Sequence, residues 1–223
     1  MRNNASTWEL SFGSQFLACK NRDAFWHQLE TVAARVGDAR IEPTSGRDRA
    51  YHATYEEFLR FFRERSTLTQ HDLLLAAAFT YGWMPRILQI VPSEADAALK
   101  ALQSARDGEE PSEAGLLAVA RFLAGSVSGA SKLLHFTSPE RFPIWDSRVA
   151  RFLGARAKVA GEQAKAEQYL AFARLCAELC RDSRSQALCS RVRAGFGSAL
   201  SPFRALELVM YLGGEARTAA DVD

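Results

Sequence analysis

The sequence predicts an all-α protein, on three observations. Apolar residues recur at the three-to-four spacing of amphipathic helices along most of the chain. The stretches between them carry Gly, Pro and capping residues, which punctuate helices. No segment alternates apolar and polar residues convincingly enough for a β-sheet; only Trp8–Phe12 and Ala39–Ile41 have strand character. At 223 residues the chain can form one large domain or two small lobes sharing a core, and 48% hydrophobic with 24% charged residues is an ordinary globular balance.

In order, the spacing predicts a helix over Arg22–Val36, with Phe25, Trp26, Leu29, Val32 and Ala33 on one face. A second covers Tyr55–Arg65, with Phe58, Leu59, Phe61 and Phe62 as core. Thr69–Tyr81 is so apolar that it reads as a central helix, broken by Gly82 and Pro85. Arg86–Val91 is a short helix or turn, and Ser93–Ser104 is amphipathic with Ser93 as N-cap. Ser112–Ala124 is followed by the small-residue turn Gly125–Gly129, and the helix resumes over Ala130–Phe136. Thr137–Arg141 is a loop around Pro139. Phe142–Trp145 is extended, because a residue before proline is pushed out of helical space. Asp146 opens a helix over Ser147–Leu153. Further helices cover Glu162–Arg181, Ser183–Ala194 and Ser201–Leu212, the last capped by Ser201, with Pro202 at its first position and Gly213 at its end. Met1–Ser6 and Glu215–Asp223 read as tails.

Charge is nearly balanced, with 28 basic and 26 acidic residues. That excludes a strongly polybasic protein but not a local basic surface, since affinity for DNA comes from the few phosphates neutralised. Glu109, Glu110 and Glu113 make an acidic stretch, and Arg148, Arg151 and Arg156 a basic one without acids. Cys176 and Cys180 share a helix face, but with Cys189 and the distant Cys19 they lack the tight run of an iron–sulfur loop, so neither metal nor cofactor is expected. No apolar run reaches the roughly 18 residues of a membrane span, and the N-terminus lacks signal-peptide character. The expectation is a cytoplasmic monomer without membrane contact.

The most informative segment is Gly125–Leu153, GSVSGASKLLHFTSPERFPIWDSRVARFL. It resembles the helix-hairpin-helix DNA glycosylase superfamily, and within it the bacterial 8-oxoguanine DNA glycosylase-like branch, over about thirty residues carried by SKLLHF and FPIWDSRVA. Weaker echoes are Tyr81–Pro85 and RALELVMYLG at Arg204–Gly213. The resemblance implies a two-lobed helical bundle, residues 1–223 as one domain, with the hairpin and catalytic segment at about 112–153 and a cleft between the lobes. It also implies a nucleoid-associated enzyme acting on DNA that contains a damaged or modified base. Lys132 matches the lysine that attacks the sugar, and Asp146 the assisting aspartate. Gly125, Ser126, Ser128, Gly129 and Ser131 fall at the phosphate-binding hairpin, and Arg148 is placed to meet phosphate. The hairpin departs from the common Leu-Pro-Gly-Val-Gly pattern, and Asp146 lies 14 positions after Lys132, closer than in the better-known branches.

The chemistry needs these residue types. Cleaving an N-glycosidic bond builds positive charge on the sugar, which a carboxylate stabilises. An amine adds to C1′ only when neutral, and burial beside Leu133, Leu134 and Phe136 would lower its pKa. The everted base needs stacking partners, for which Tyr81, Trp83, His135, Phe136 and Trp145 are the candidates. The competing reading is a non-catalytic helix-hairpin-helix module that binds nucleic acid or protein, with Lys132 and Asp146 structural. On the enzymatic reading, Lys132 and Asp146 converge on one cleft.

Overall fold

The computed structural model describes residues 11–12, 15–16, 22–38, 46–84, 86–155, 159–196 and 200–214. The protein is mainly helical. The described helices are α1 (Arg22–Asp38), α2 (Gly46–Arg63), α3 (Gln70–Gly82), α4 (Ala95–Arg106), α5 (Glu113–Phe122), α6 (Val127–Thr137), α7 (Ser147–Phe152), α8 (Glu162–Arg181), α9 (Arg184–Phe196) and α10 (Pro202–Gly213). A two-residue antiparallel ladder pairs Ser11–Phe12 with Gln15–Phe16. The strand expected at Trp8–Phe12 falls only in part on described residues, and Ala39–Ile41 and both tails lie outside them.

The helix α6 is the hub. It packs against α2, α3, α4, α5 and α8, and every residue from Gly129 to Phe136 is buried. On the far side, α10 packs on α1, α7, α8 and α9, so the last described helix lies against the first. The long α8 touches both groups. Few residues on these two central helices could be exposed: α10 is apolar almost all round, with Phe203, Ala205, Leu206, Leu208, Val209 and Met210 buried.

The connection between α5 and α6 sets the site. The axes turn through 111° over Leu123–Ser126. Ala124 (φ 51°) and Gly125 (φ 81°) take left-handed backbone, which ends α5; Gly125 N–H donates to Ala120 O at 2.8 Å. Ser126 then caps α6, its Oγ accepting from Gly129 N–H at 3.0 Å. The helix therefore begins at Val127 rather than Ala130, because the Ser126 cap recruits Val127, Ser128 and Gly129 into its first turn. Gly129 is packing rather than punctuation: an added Cβ would stand 3.0 Å from Ser126 Oγ, 3.2 Å from Leu123 and 3.4 Å from Met84.

Other boundaries shift for local reasons. Helix α2 begins at Gly46, nine residues before the apolar stripe that marked it, since the polar Gly46–Thr54 half carries no periodic apolar signal. Ser93 lies inside a 3-10 turn opened by Pro92, and α4 starts at Ala95 without a side-chain cap. Arg86–Val91 forms no helix; Val91 N–H instead donates to Phe122 O at 2.8 Å, which lays this strand of chain along the end of α5.

The helix α10 is docked at both ends. Ser201 Oγ accepts from Arg204 N–H at 3.0 Å and donates to Pro139 O at 2.8 Å. At the other end Gly214 abuts α7, where an added Cβ would fall 1.9 Å from Arg148 O, and Arg151 donates to Gly214 O at 2.6 Å. No side chain fits there without parting α7 from α10. Gly214→Ala is expected to destabilise the fold by about 2 kcal/mol or more, read as a lower urea midpoint; an unchanged midpoint would mean that this contact is not a close one.

Candidate active site

Lys132 and Asp146 are brought together by two adjacent elements. Lys132 sits mid-way along α6, and Asp146 ends the extended stretch Phe142–Asp146 that folds back beside it. That stretch is stitched to α6. Trp145 N–H donates to Ser131 Oγ at 2.9 Å, Ser131 Oγ donates to Ser128 O at 2.9 Å, and Ser128 Oγ donates to Trp145 O at 2.8 Å. From the other side Tyr169 of α8 donates its hydroxyl to Pro143 O at 3.2 Å. With the backbone so held, the Lys132 amine stands 3.8 Å from Asp146 Oδ2 and donates to Ser128 Oγ at 3.2 Å.

The two partners have different surroundings. The Lys132 side chain is 7% exposed and that of Asp146 28%. Asp146 divides its oxygens: Oδ1 caps α7 through Arg148 N–H at 2.9 Å, and Oδ2 faces the amine. Burial pushes the Lys132 amine below its ordinary pKa; Asp146 and Glu207 pull it back up, and Arg204 pushes it further down. The result is a buried amine, its pKa lowered, beside a partly solvated carboxylate.

A second pair of charges stands close by. Arg204 and Glu207, one turn apart on α10, form a hydrogen-bonded ion pair, with the Glu207 side chain only 1% and the Arg204 side chain 14% exposed. Burial lifts the Glu207 carboxyl above its ordinary pKa, against the opposing pull of Arg204, and the charges of Asp146 and Lys132 reach it as well. The Arg204 guanidinium lies 5.3 Å from the Tyr55 ring and 5.8 Å from the Trp83 ring. Neither member of this pair, nor Tyr55, was assigned a role from the sequence. The signal was available: a charged pair inside a helix apolar on all sides must be buried with it.

The remaining candidates differ in their surroundings. Trp83 borders the cluster, with its indole N–H donating to Thr54 Oγ1 at 2.8 Å. His135 is fully buried beside Tyr55. Its Nδ1 lies 2.7 Å from Phe142 O, which can only accept, so Nδ1 carries the proton and Nε2 accepts from the Tyr55 hydroxyl at 2.9 Å. Phe136, Trp145 and Tyr81 are packed inward: Phe136 edge-on against Trp83 and Phe58, Trp145 5.1 Å from Phe172, and Tyr81 donating to Leu123 O at 3.4 Å. Ser128 and Ser131 turn their hydroxyls to the Phe142–Asp146 stretch, and Gly129 commits its amide to Ser126, which leaves the amides of Val127 and Ser128 outside the helical ladder at the start of α6. Arg148 lies over the Tyr211 ring at 4.6 Å, beside Asp146.

No group of three or more His, Cys, Asp or Glu side chains among the described residues is arranged to hold a metal ion. Burial holds the thiol of Cys176 well above its ordinary pKa and pushes that of Cys180 up to about 12. No single described helix is long and apolar enough to cross a membrane. The chain matches no protein-family model, no curated protein and no solved structure.

His135 makes the cluster sensitive to acid. Burial, helped by the Arg204 charge, lowers its pKa from 6.5 to about 3. The folded value lies below the unfolded one, so between those limits the unfolded chain binds the extra proton. Stability is then fully present above pH 6.5 and lost as pH falls, by about 2 kcal/mol at pH 5. Urea midpoints measured from pH 7 to pH 5 are expected to drop accordingly. In His135→Gln the slope should flatten; an equal slope in both proteins would place the acid sensitivity elsewhere.

Proposed function

We propose that the protein is a DNA glycosylase with AP-lyase activity, acting on an oxidised or otherwise modified base. The observation that carries this is the buried Lys132 amine 3.8 Å from the Asp146 carboxylate, its pKa lowered by burial. The 111° turn from α5 into α6, with helix-start amides at Val127 and Ser128, gives the reading a place for a DNA phosphate. The resemblance of Gly125–Leu153 to the glycosylase superfamily supplies the reaction class, and the division into two lobes with a cleft between them belongs to this reading too.

Asp146 steadies the positive charge that grows on the sugar as the base departs with the electrons of the glycosidic bond. The neutral Lys132 amine bonds to C1′ and passes a proton to Asp146. Asp146 returns that proton to O4′ as the C1′–O4′ bond breaks, and the nitrogen lone pair closes a protonated Schiff base on Lys132. Loss of a proton from C2′ then expels the 3′ phosphate, which nicks the strand, and water releases the enzyme. Ser128 holds the amine on the side of Asp146 in the resting protein.

Borohydride should trap a covalent adduct between the protein and an oligonucleotide carrying an abasic site or a substrate lesion. Lys132→Ala should abolish the adduct, and Asp146→Asn should reduce base release by about a hundredfold or more. The trapping rate should rise with pH through the depressed value of the amine and level off before a free lysine would ionise. DNA binding without any adduct across a panel of lesions and abasic sites would instead establish a binding module.

A further inference from the structure

On the glycosylase reading, a buried pair of charges on α10 bears on the class of base. Arg204 and Glu207 act on the sugar chemistry only through their field on the amine, yet the fold buries both. A buried ion pair is weak evidence for stability, because apolar residues of similar size generally serve as well. This one has an asymmetry. Glu207 is sealed, at 1% exposure, while Arg204 keeps 14%. Among the described residues the polar partner of the guanidinium is Glu207, met by Nη1. The Nε–H and Nη2–H edge has no protein acceptor there. Among the described residues the fully buried polar side-chain atoms without a partner are Trp26 Nε1 and Thr80 Oγ1, so that edge keeps some contact with the surface.

The open edge is well placed. Aromatic faces of Tyr55 and Trp83 flank the guanidinium at 5.3 and 5.8 Å. Its charge reaches Lys132 and His135 on α6. Its backbone is fixed by the Ser201 cap, and its side chain by Glu207. A planar fork of donors, held from behind, bordered by aromatics and within electrostatic reach of the amine, suits the edge of a planar ligand.

We infer that Arg204 is the base-reading residue of this cleft, held in place by Glu207, and that it selects bases presenting a keto oxygen over bases presenting an amino group at the same position. A guanidinium offers only donors. A keto oxygen, alone or beside a ring-nitrogen lone pair, accepts from them, as guanine does from arginine. An exocyclic amino group would set N–H against N–H and leave the buried donors unpaired, which is the strong form of rejection.

The test compares matched oligonucleotides: 5-hydroxyuracil against 5-hydroxycytosine, and 8-oxoguanine against 8-oxoadenine, with base release measured in single turnover. An abasic-site oligonucleotide, which has no base to read, is trapped with borohydride in parallel. The wild-type protein should release the keto member of each pair about tenfold faster or more. Arg204→Lys keeps a positive charge for Glu207 but loses the fork, and should lower keto-base release relative to abasic-site trapping by about tenfold. Glu207→Gln, which loosens the hold on Arg204, should lower it in the same sense. Variants that lose base release and abasic-site trapping in parallel would show a merely structural pair and overturn the inference. So would equal release of keto and amino members, or release of neither by a wild-type protein that traps the abasic site. Failure of the wild type to trap the abasic site overturns the glycosylase reading itself, and this inference with it.

Discussion

Everything at the site follows from burying the Lys132 amine. Taking an ammonium out of water is costly, and the fold lowers that cost with a carboxylate on one side and a hydroxyl on the other. It does not cancel the cost. Asp146 is kept partly in water and at 3.8 Å, too far for a hydrogen bond, so its pull on the amine is weaker than that of a closed, dry ion pair. The second pair, Arg204 and Glu207, is neutral as a unit, and its members act on the amine in opposite directions. What opposes the ammonium is therefore burial itself, joined by Arg204, against the two carboxylates of Asp146 and Glu207.

That balance depends on rigid backbones. Lys132 lies on the most enclosed helix of the described structure, and its neighbours Leu133, Leu134, His135 and Phe136 are all buried. Asp146 gains its position from capping α7, and Ser128 and Ser131 lace the stretch before it to α6. These two serines of α6 therefore serve geometry: they fix the distance between amine and carboxylate. The His135–Tyr55 hydrogen bond extends the same rigidity to α2, with a histidine that stays neutral at ordinary pH.

The helices were legible in the sequence where one face is apolar and the ends carry caps, as at Thr69, Ser112, Asp146 and Ser201. The early part of α2 was not, because its residues are polar and its helicity has no stripe to announce it. Ser93 misled because Pro92 favours a tight turn first. The approach of Lys132 to Asp146 was legible because both lie in one short segment with a recognisable pattern. Arg204 was not, although it heads a stretch that echoes the same superfamily, because a role in the site depends on which helix α10 faces. Aromatic residues were the least legible. Trp145 and Tyr81 look like pocket walls in the sequence, but their surroundings come from α8 and the α5–α6 turn, distant in the chain.

The docking of α10 against both α1 and α7 has a consequence for synthesis. A chain made from its N-terminus completes α6 and α7, with the lysine and aspartate, well before α10 emerges. Until then the apolar faces of α1, α7 and α8 that α10 covers stay open, and the guanidinium is absent. The Lys132 amine therefore acquires its full electrostatic setting only when the last described helix closes the bundle.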